Sequence, residues 1–102
     1  SKLSQITIPP RPEGFKIVYH LYIVFANDRD ALLAHCIEAG IEAKIHYPIP
    51  MHLQPASKEF GYSKGDFPLA EKICQEALSL PVHEFISKEQ REFVVEKIKE
   101  FY

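Results

Sequence analysis

Glycine is scarce in this chain. The four that occur in 102 residues are scattered, so no glycine-rich loop can wrap a phosphate in backbone N–H groups. An excess of one charge is lacking as well. The formal net charge is −2, and the twelve basic residues are interleaved with acids, as Lys97 and Lys99 are between Glu96 and Glu100. That leaves no basic stripe for nucleic acid. No apolar run approaches the roughly 20 residues of a membrane span. Residues 1–14 are polar and proline-rich, unlike the apolar centre of a secretory signal. Only two cysteines are present, Cys36 and Cys74, both at apolar positions of expected helices. They read as buried thiols in a reducing, cytoplasmic setting, without the polar surroundings that activate a thiol nucleophile.

Metal-ligand spacing is missing too. Among His20, His35, His46, His52 and His83 no pair stands four apart on a helix. The cysteines are distant from each other, so the expected metal content is none. Acidic pairs fall on helix faces, where they meet solvent. No self-sufficient catalytic centre emerges from the residues.

What is present is an ordinary soluble composition, 46% apolar and 25% charged. The length suits one domain with a core that needs no disulfide or metal. Pro9-Pro10-Arg11-Pro12-Glu13-Gly14 reads as a linker, giving an expected division into a linker over 1–17 and a domain over 18–102. The chain starts without an initiator methionine, as a piece of something longer would.

The pattern predicts three strands alternating with three helices. Val18 to Phe25 alternates with period two, with Tyr19, Leu21, Ile23 and Phe25 on an apolar face and Val18, His20, Tyr22 and Val24 on a mixed one. Asn27 to Asp30 offers helix caps, Leu32, Leu33, Cys36 and Ile37 follow at helical spacing, and Gly40 reads as the C′ glycine. Ile41, Ala43, Ile45 and Tyr47 alternate as a second strand. After Asp66-Phe67-Pro68, Leu69, Ala70, Ile73, Cys74 and Ala77 mark an amphipathic helix. Leu78 to Val82 reads as a short strand cut off at an edge by Pro81. Ser87 and Gln90 form a capping box before a helix with Val94, Val95, Ile98 and Phe101 inward. The expected fold is α/β, a small three-stranded sheet with helices on one face, in the order β-α-β-arm-α-β-α.

The arm is the most distinctive segment. Ile45-His46-Tyr47-Pro48-Ile49-Pro50-Met51-His52-Leu53-Gln54-Pro55 sets two imidazoles and a phenol among three prolines. Proline fixes φ and restricts its predecessor to extended conformations, so a stiff extended path with no helix is expected. A group held in advance loses little entropy on contact, which suits a binding wall. A purely structural crossover, with Tyr47 packed inside and both imidazoles solvated, fits the same residues.

Tyr19-His20-Leu21-Tyr22, Gly40-Ile41 and the run His46-Tyr47-Pro48-Ile49-Pro50-Met51-His52-Leu53-Gln54-Pro55 resemble the C-terminal small domain of DegT/DnrJ-type sugar aminotransferases. The likeness continues through Gly61-Tyr62, Gly65-Asp66-Phe67-Pro68-Leu69-Ala70-Glu71, Leu78-Ser79-Leu80-Pro81 and Glu89-Gln90, from about Val18 to Tyr102. One departure is Ser57, where the family frequently has a tyrosine.

The resemblance implies a fold-type I, pyridoxal-phosphate-dependent homodimer. It would move an amino group, usually from glutamate, onto a keto sugar carried by a nucleotide. It also implies that the cofactor-bearing lysine and the pyridinium partner lie in a large N-terminal domain. This chain would then hold no catalytic residue and no cofactor, and would close the cleft. By motif, His46, Tyr47, His52 and Gln54 would face the sugar nucleotide, while Pro48, Pro50 and Pro55 shape the arm. His20 and His83 would be structural and His35 solvated. A free-standing α/β binding module without catalysis, and an inert scaffold, are the competing readings.

Overall fold

The computed structural model describes residues 3–102; Ser1 and Lys2, at the start of the expected linker, lie outside the described residues. Two residues of that linker, Ile6–Thr7 (β1), pair antiparallel with Tyr22–Ala26 (β2), Ile6 opposite Ala26 and Thr7 opposite Phe25. On its other side β2 pairs antiparallel with Ala77–Leu80 (β3), setting Val24 opposite Leu78 and Ile23 opposite Ser79. The sheet order β1-β2-β3 puts β3 at an edge, and Pro81 follows its last residue, as the sequence predicts.

Two strand expectations are corrected. The span 18–25 shrinks to β2 because its partners reach only Tyr22 to Ala26, and Val18 is exposed. A strand exists only where a ladder partner satisfies its backbone. Ile41 to Tyr47 likewise reduces to one antiparallel bridge, where Lys44 and Ser79 exchange both backbone hydrogen bonds (3.0 and 2.8 Å). The sheet's third strand is β1 instead. The facing of β2 is also reversed from expectation. Val24 and Ala26 join the core while Ile23 and Phe25 stay half-buried. Both faces of this strand are apolar, so the packed helices, not the pattern, choose the inner one.

Helix Arg29–Glu38 (α1) ends as its sequence predicts. Gly40 adopts φ 80°, its N–H bonds the Ile37 carbonyl, and the Ile41 N–H bonds the Cys36 carbonyl at 2.9 Å. Together these are a Schellman motif, with Ile41 and Cys36 both buried in the core. Helix Pro68–Glu76 (α2) has proline at its first turn, and helix Lys88–Phe101 (α3) opens on the full Ser87–Gln90 capping box.

Val24, Leu32, Cys36 and Leu78 are at most 2% exposed and form the centre of the core, with Ile6, Ile41, Ala43 and Ile98 around them. Complete burial of each larger side chain contributes about 1.5–3 kcal/mol. Burial pushes the Cys36 thiol up, away from reactivity. Cys74 is only half-buried, and Val95 is exposed, both against expectation. Among the described residues Arg29 is the buried cation. Its Nη1 donates to the carbonyls of Cys74 (2.9 Å) and Ala77 (2.8 Å), across the point where α2 turns into β3.

The expected inward face of α2 is the largest departure. Leu69, Ala70 and Ile73 are exposed, and Ala77 belongs to β3. The amphipathic pattern is there, but no element among the described residues covers it. Among the described residues, no helix is long and apolar enough to cross a membrane.

Candidate functional site

Backbone pairing delivers the arm to one side of the sheet. The Lys44–Ser79 bridge fixes the chain two residues before His46, and the His46 ring lies half-buried with Nδ1 2.9 Å from the Ser79 Oγ. The His46–Tyr47 peptide is cis, and the two rings meet edge to face at 5.6 Å. Tyr47 is 71% exposed. Its ring is therefore on display instead of packed inside.

Beyond Pro48 the expected extended path gives way to two 3-10 turns, Met51–Leu53 and Pro55–Phe60. Pro50 and Pro55 stand at the start of these turns, where a missing N–H costs nothing. Gln54 donates from Nε2 to the Ile49 carbonyl (3.3 Å), and Ser57 donates from Oγ to the Met51 carbonyl (2.6 Å). Gln54 thus braces the turn while remaining exposed, and Ser57 ties the two turns together.

His52 sits deeper. Its side chain is 7% exposed, its Nε2 lies 2.8 Å from Glu71 Oε1, and its ring packs edge-on against Phe67 at 4.9 Å. Phe67 in turn meets Tyr62 at 5.1 Å. Glu71, on the first turn of α2, also accepts the Gly65 N–H at 2.7 Å. The two donors hold its carboxyl below the usual carboxylate range, the Gly65 backbone N–H contributing most.

These pieces enclose an apolar concavity of about 610 Å³ between the arm and α2, with Tyr47, Met51, Phe60, Tyr62, Phe67 and Ile73 among its walls. His52 and Gln54 also line it. An open apolar hollow with few polar groups is the usual form of a ligand or partner surface.

The other histidines stand apart. His20 is exposed. His35, expected in solvent, has Nε2 2.9 Å from the Lys97 carbonyl and its ring against Phe101. His83, expected to pack, is exposed and accepts the Phe85 N–H on Nδ1. Among the described residues no three His, Cys, Asp or Glu side chains converge as metal ligands. Sequence reasoning did not find Ser79, Glu71 or Arg29. Each acts through a partner 19 to 48 positions away, and no local pattern signals it.

The model of the DegT/DnrJ/EryC1/StrS aminotransferase family matches residues 1–99. The chain is 44% identical over 97 residues to a pleiotropic regulatory protein of Geobacillus stearothermophilus, covering 95% of this chain and 26% of that protein. It is 38% identical to the dTDP-3-amino-3,6-dideoxy-alpha-D-galactopyranose transaminase of Aneurinibacillus thermoaerophilus, covering 94% of this chain and 26% of the relative. Its fold superposes on the crystal structure of S. venezuelae DesV, solved in complex with a ketimine intermediate. The TM-score is 0.92 at 32% identity, over 99% of this chain and 27% of that one. The chain thus spans about a quarter of the length of the proteins it resembles.

Proposed function

The chain belongs to the DegT/DnrJ/EryC1/StrS aminotransferase family, and from that premise we propose that it is the C-terminal small domain of a pyridoxal-phosphate-dependent sugar aminotransferase. The whole enzyme moves an amino group from glutamate to a nucleotide-linked keto sugar in the cytoplasm, as a homodimer. Within it, residues 18–102 are the main body of the small domain, and the lead-in segment over 1–17 adds β1 to its sheet and Ile6 to its core.

The observation that carries this reading is the exposed Tyr47 beside half-buried His46, at the rim of an apolar hollow that no element among the described residues fills. The phenol offers an O–H and an apolar ring face to a sugar, and the imidazole a polar nitrogen. His52 and Gln54 line the same hollow and contribute to the substrate side, while Pro48, Pro50 and Pro55 set the arm's path. The uncovered apolar face of α2 suits contact with the enzyme's own N-terminal domain.

Pyridoxal phosphate, when bound, supplies the electron sink for amino transfer. The residues of this chain do not fit as its anchors. Among the described residues no lysine or arginine lines the hollow, and the Lys44 Nζ lies 2.9 Å from Glu42 Oε1. The cofactor's lysine and phosphate donors therefore belong to the N-terminal domain, and this chain supplies walls.

The test is the pair His46→Ala and Tyr47→Phe in the full-length enzyme, with the two half-reactions measured separately. Turnover of the keto sugar should fall roughly tenfold or more, the scale of one or two lost substrate hydrogen bonds. The glutamate half-reaction should be nearly unchanged. Equal losses in both would remove the sugar-side role. The chain without the N-terminal domain should show no cofactor absorbance; stoichiometric binding of pyridoxal phosphate would overturn the division of labour.

A further inference from the structure

The hydrogen bond between His46 and Ser79 has a direction that burial decides. Ser79 is 5% exposed, and its hydroxyl has the His46 Nδ1, at 2.9 Å, as its hydrogen-bond partner. A hydroxyl carries one proton. If the imidazole were the donor, that proton would be left in a buried place without an acceptor. If the hydroxyl donates, Nδ1 is the bare acceptor, the Ser79 proton has its partner, and the ring proton of the neutral imidazole sits on Nε2. The backbone makes this geometry firm. Ser79 exchanges both main-chain bonds with Lys44 and pairs with Ile23 in the sheet, so its side chain rises from a strand held on both sides.

We propose that Ser79 is a positioning residue for substrate. By donating to Nδ1 it holds His46 in the Nε2–H tautomer and fixes the ring's rotation, so the arm presents an N–H donor to an oxygen acceptor of the sugar nucleotide. The role parallels the groups that orient metal-bound histidines through the opposite ring nitrogen. It rests on the functional reading above for its substrate, but the tautomer is a property of this chain alone.

The experiment has two arms. In the first, nitrogen-15 NMR reads the His46 ring in the chain itself. Wild type should show an unprotonated, hydrogen-bonded Nδ1 and a protonated Nε2. Ser79→Ala should pull both signals toward exchange-averaged positions, and Ser79→Thr, which keeps the hydroxyl and suits a strand, should restore them. A proton on Nδ1 in wild type overturns the inference. In the second arm, the full-length enzyme carrying Ser79→Ala should show a KM for the keto sugar raised about fivefold, the equivalent of one hydrogen bond. Its kcat should be little changed, and Ser79→Thr should rescue the KM. An unchanged KM, when His46→Ala alone raises it, also overturns the positioning role. If the tautomer holds but neither His46 nor Tyr47 affects sugar turnover, the functional reading fails while Ser79's effect on the ring stands.

Discussion

Nε2 of His52 and Oε1 of Glu71 meet at 2.8 Å, and the same oxygen takes the Gly65 N–H at 2.7 Å. One carboxylate oxygen thereby ties the arm's first 3-10 turn to α2 and to the turn before it. Both side chains are largely shielded, 7% and 11% exposed, so water competes little for these bonds. The Phe67 and Tyr62 rings stack outward from His52 and carry the restraint to the edge of the hollow. The hollow is shaped before anything enters it, which lowers the ordering cost of binding.

The carboxyl of Glu71 is held below its ordinary value of 4.5, first by the Gly65 N–H and then by His52. A group whose folded pKa is depressed stabilises the fold above its unfolded value and loses that contribution as pH falls through the folded one. Glu71→Gln should therefore lower Tm at pH 7. The gap to wild type should stay constant down to about pH 5 and narrow at more acidic pH. Thermal melts from pH 7 to pH 3 would show this, and a gap as wide at pH 3 as at pH 7 would rule out the charge as its source.

Arg29 donates from Nη1 to the carbonyls of Cys74 and Ala77. Arg29→Met keeps the aliphatic stem but leaves the buried Ala77 carbonyl and the part-buried Cys74 carbonyl without their donor, and should cost about 2–4 kcal/mol in urea unfolding. A loss under about 0.5 kcal/mol would mean that water replaces the guanidinium without penalty.

Gly40 sits at φ 80° with open space where a Cβ would be. Gly40→Ala should thus pay only the left-handed backbone penalty, about 1 kcal/mol, with no packing clash. The m-value should be unchanged. A much larger loss would point to a steric neighbour that the structure does not contain.

Tyr47 and Leu78 should part company. Leu78, fully buried beside Val24 and Leu32, should lose about 3 kcal/mol on replacement by alanine. Tyr47→Ala, at a position 71% exposed, should leave stability within about 0.5 kcal/mol. The same change should depress sugar turnover in the full-length enzyme. A stability loss as large as that of Leu78→Ala would make Tyr47 a structural residue.

Most features set by neighbours along the chain were legible in the sequence, although the cap expected from Asn27 to Asp30 is not formed, Asp28 making no side-chain cap bond. The Ser87–Gln90 capping box, Pro68 at a first turn and Gly40 after α1 each need only the next few residues, and each stands as expected. Features set by distant partners were not. The alternation from Ile41 to Tyr47 buries Ile41 and Ala43 as a strand would, yet only Lys44 finds a partner, so a bridge results. The inner face of β2 depends on which side the helices cover. The motif marked the arm, but its two anchors, Ser79 and Glu71, are ordinary residues until the chain folds them against imidazoles.

Helix α2 passes into β3 between Glu76 and Ala77 without an intervening loop. The last carbonyls of a helix usually need a cap, a turn or water; here Arg29 reaches across from α1 and takes that of Cys74 together with the first carbonyl of β3, that of Ala77. That seam should refuse change of length. A residue inserted between positions 76 and 77 would rotate Leu78 out of the core or move the Ala77 carbonyl away from that of Cys74, so that the guanidinium could no longer bridge the two, while the same insertion among exposed residues 83–85 would be absorbed.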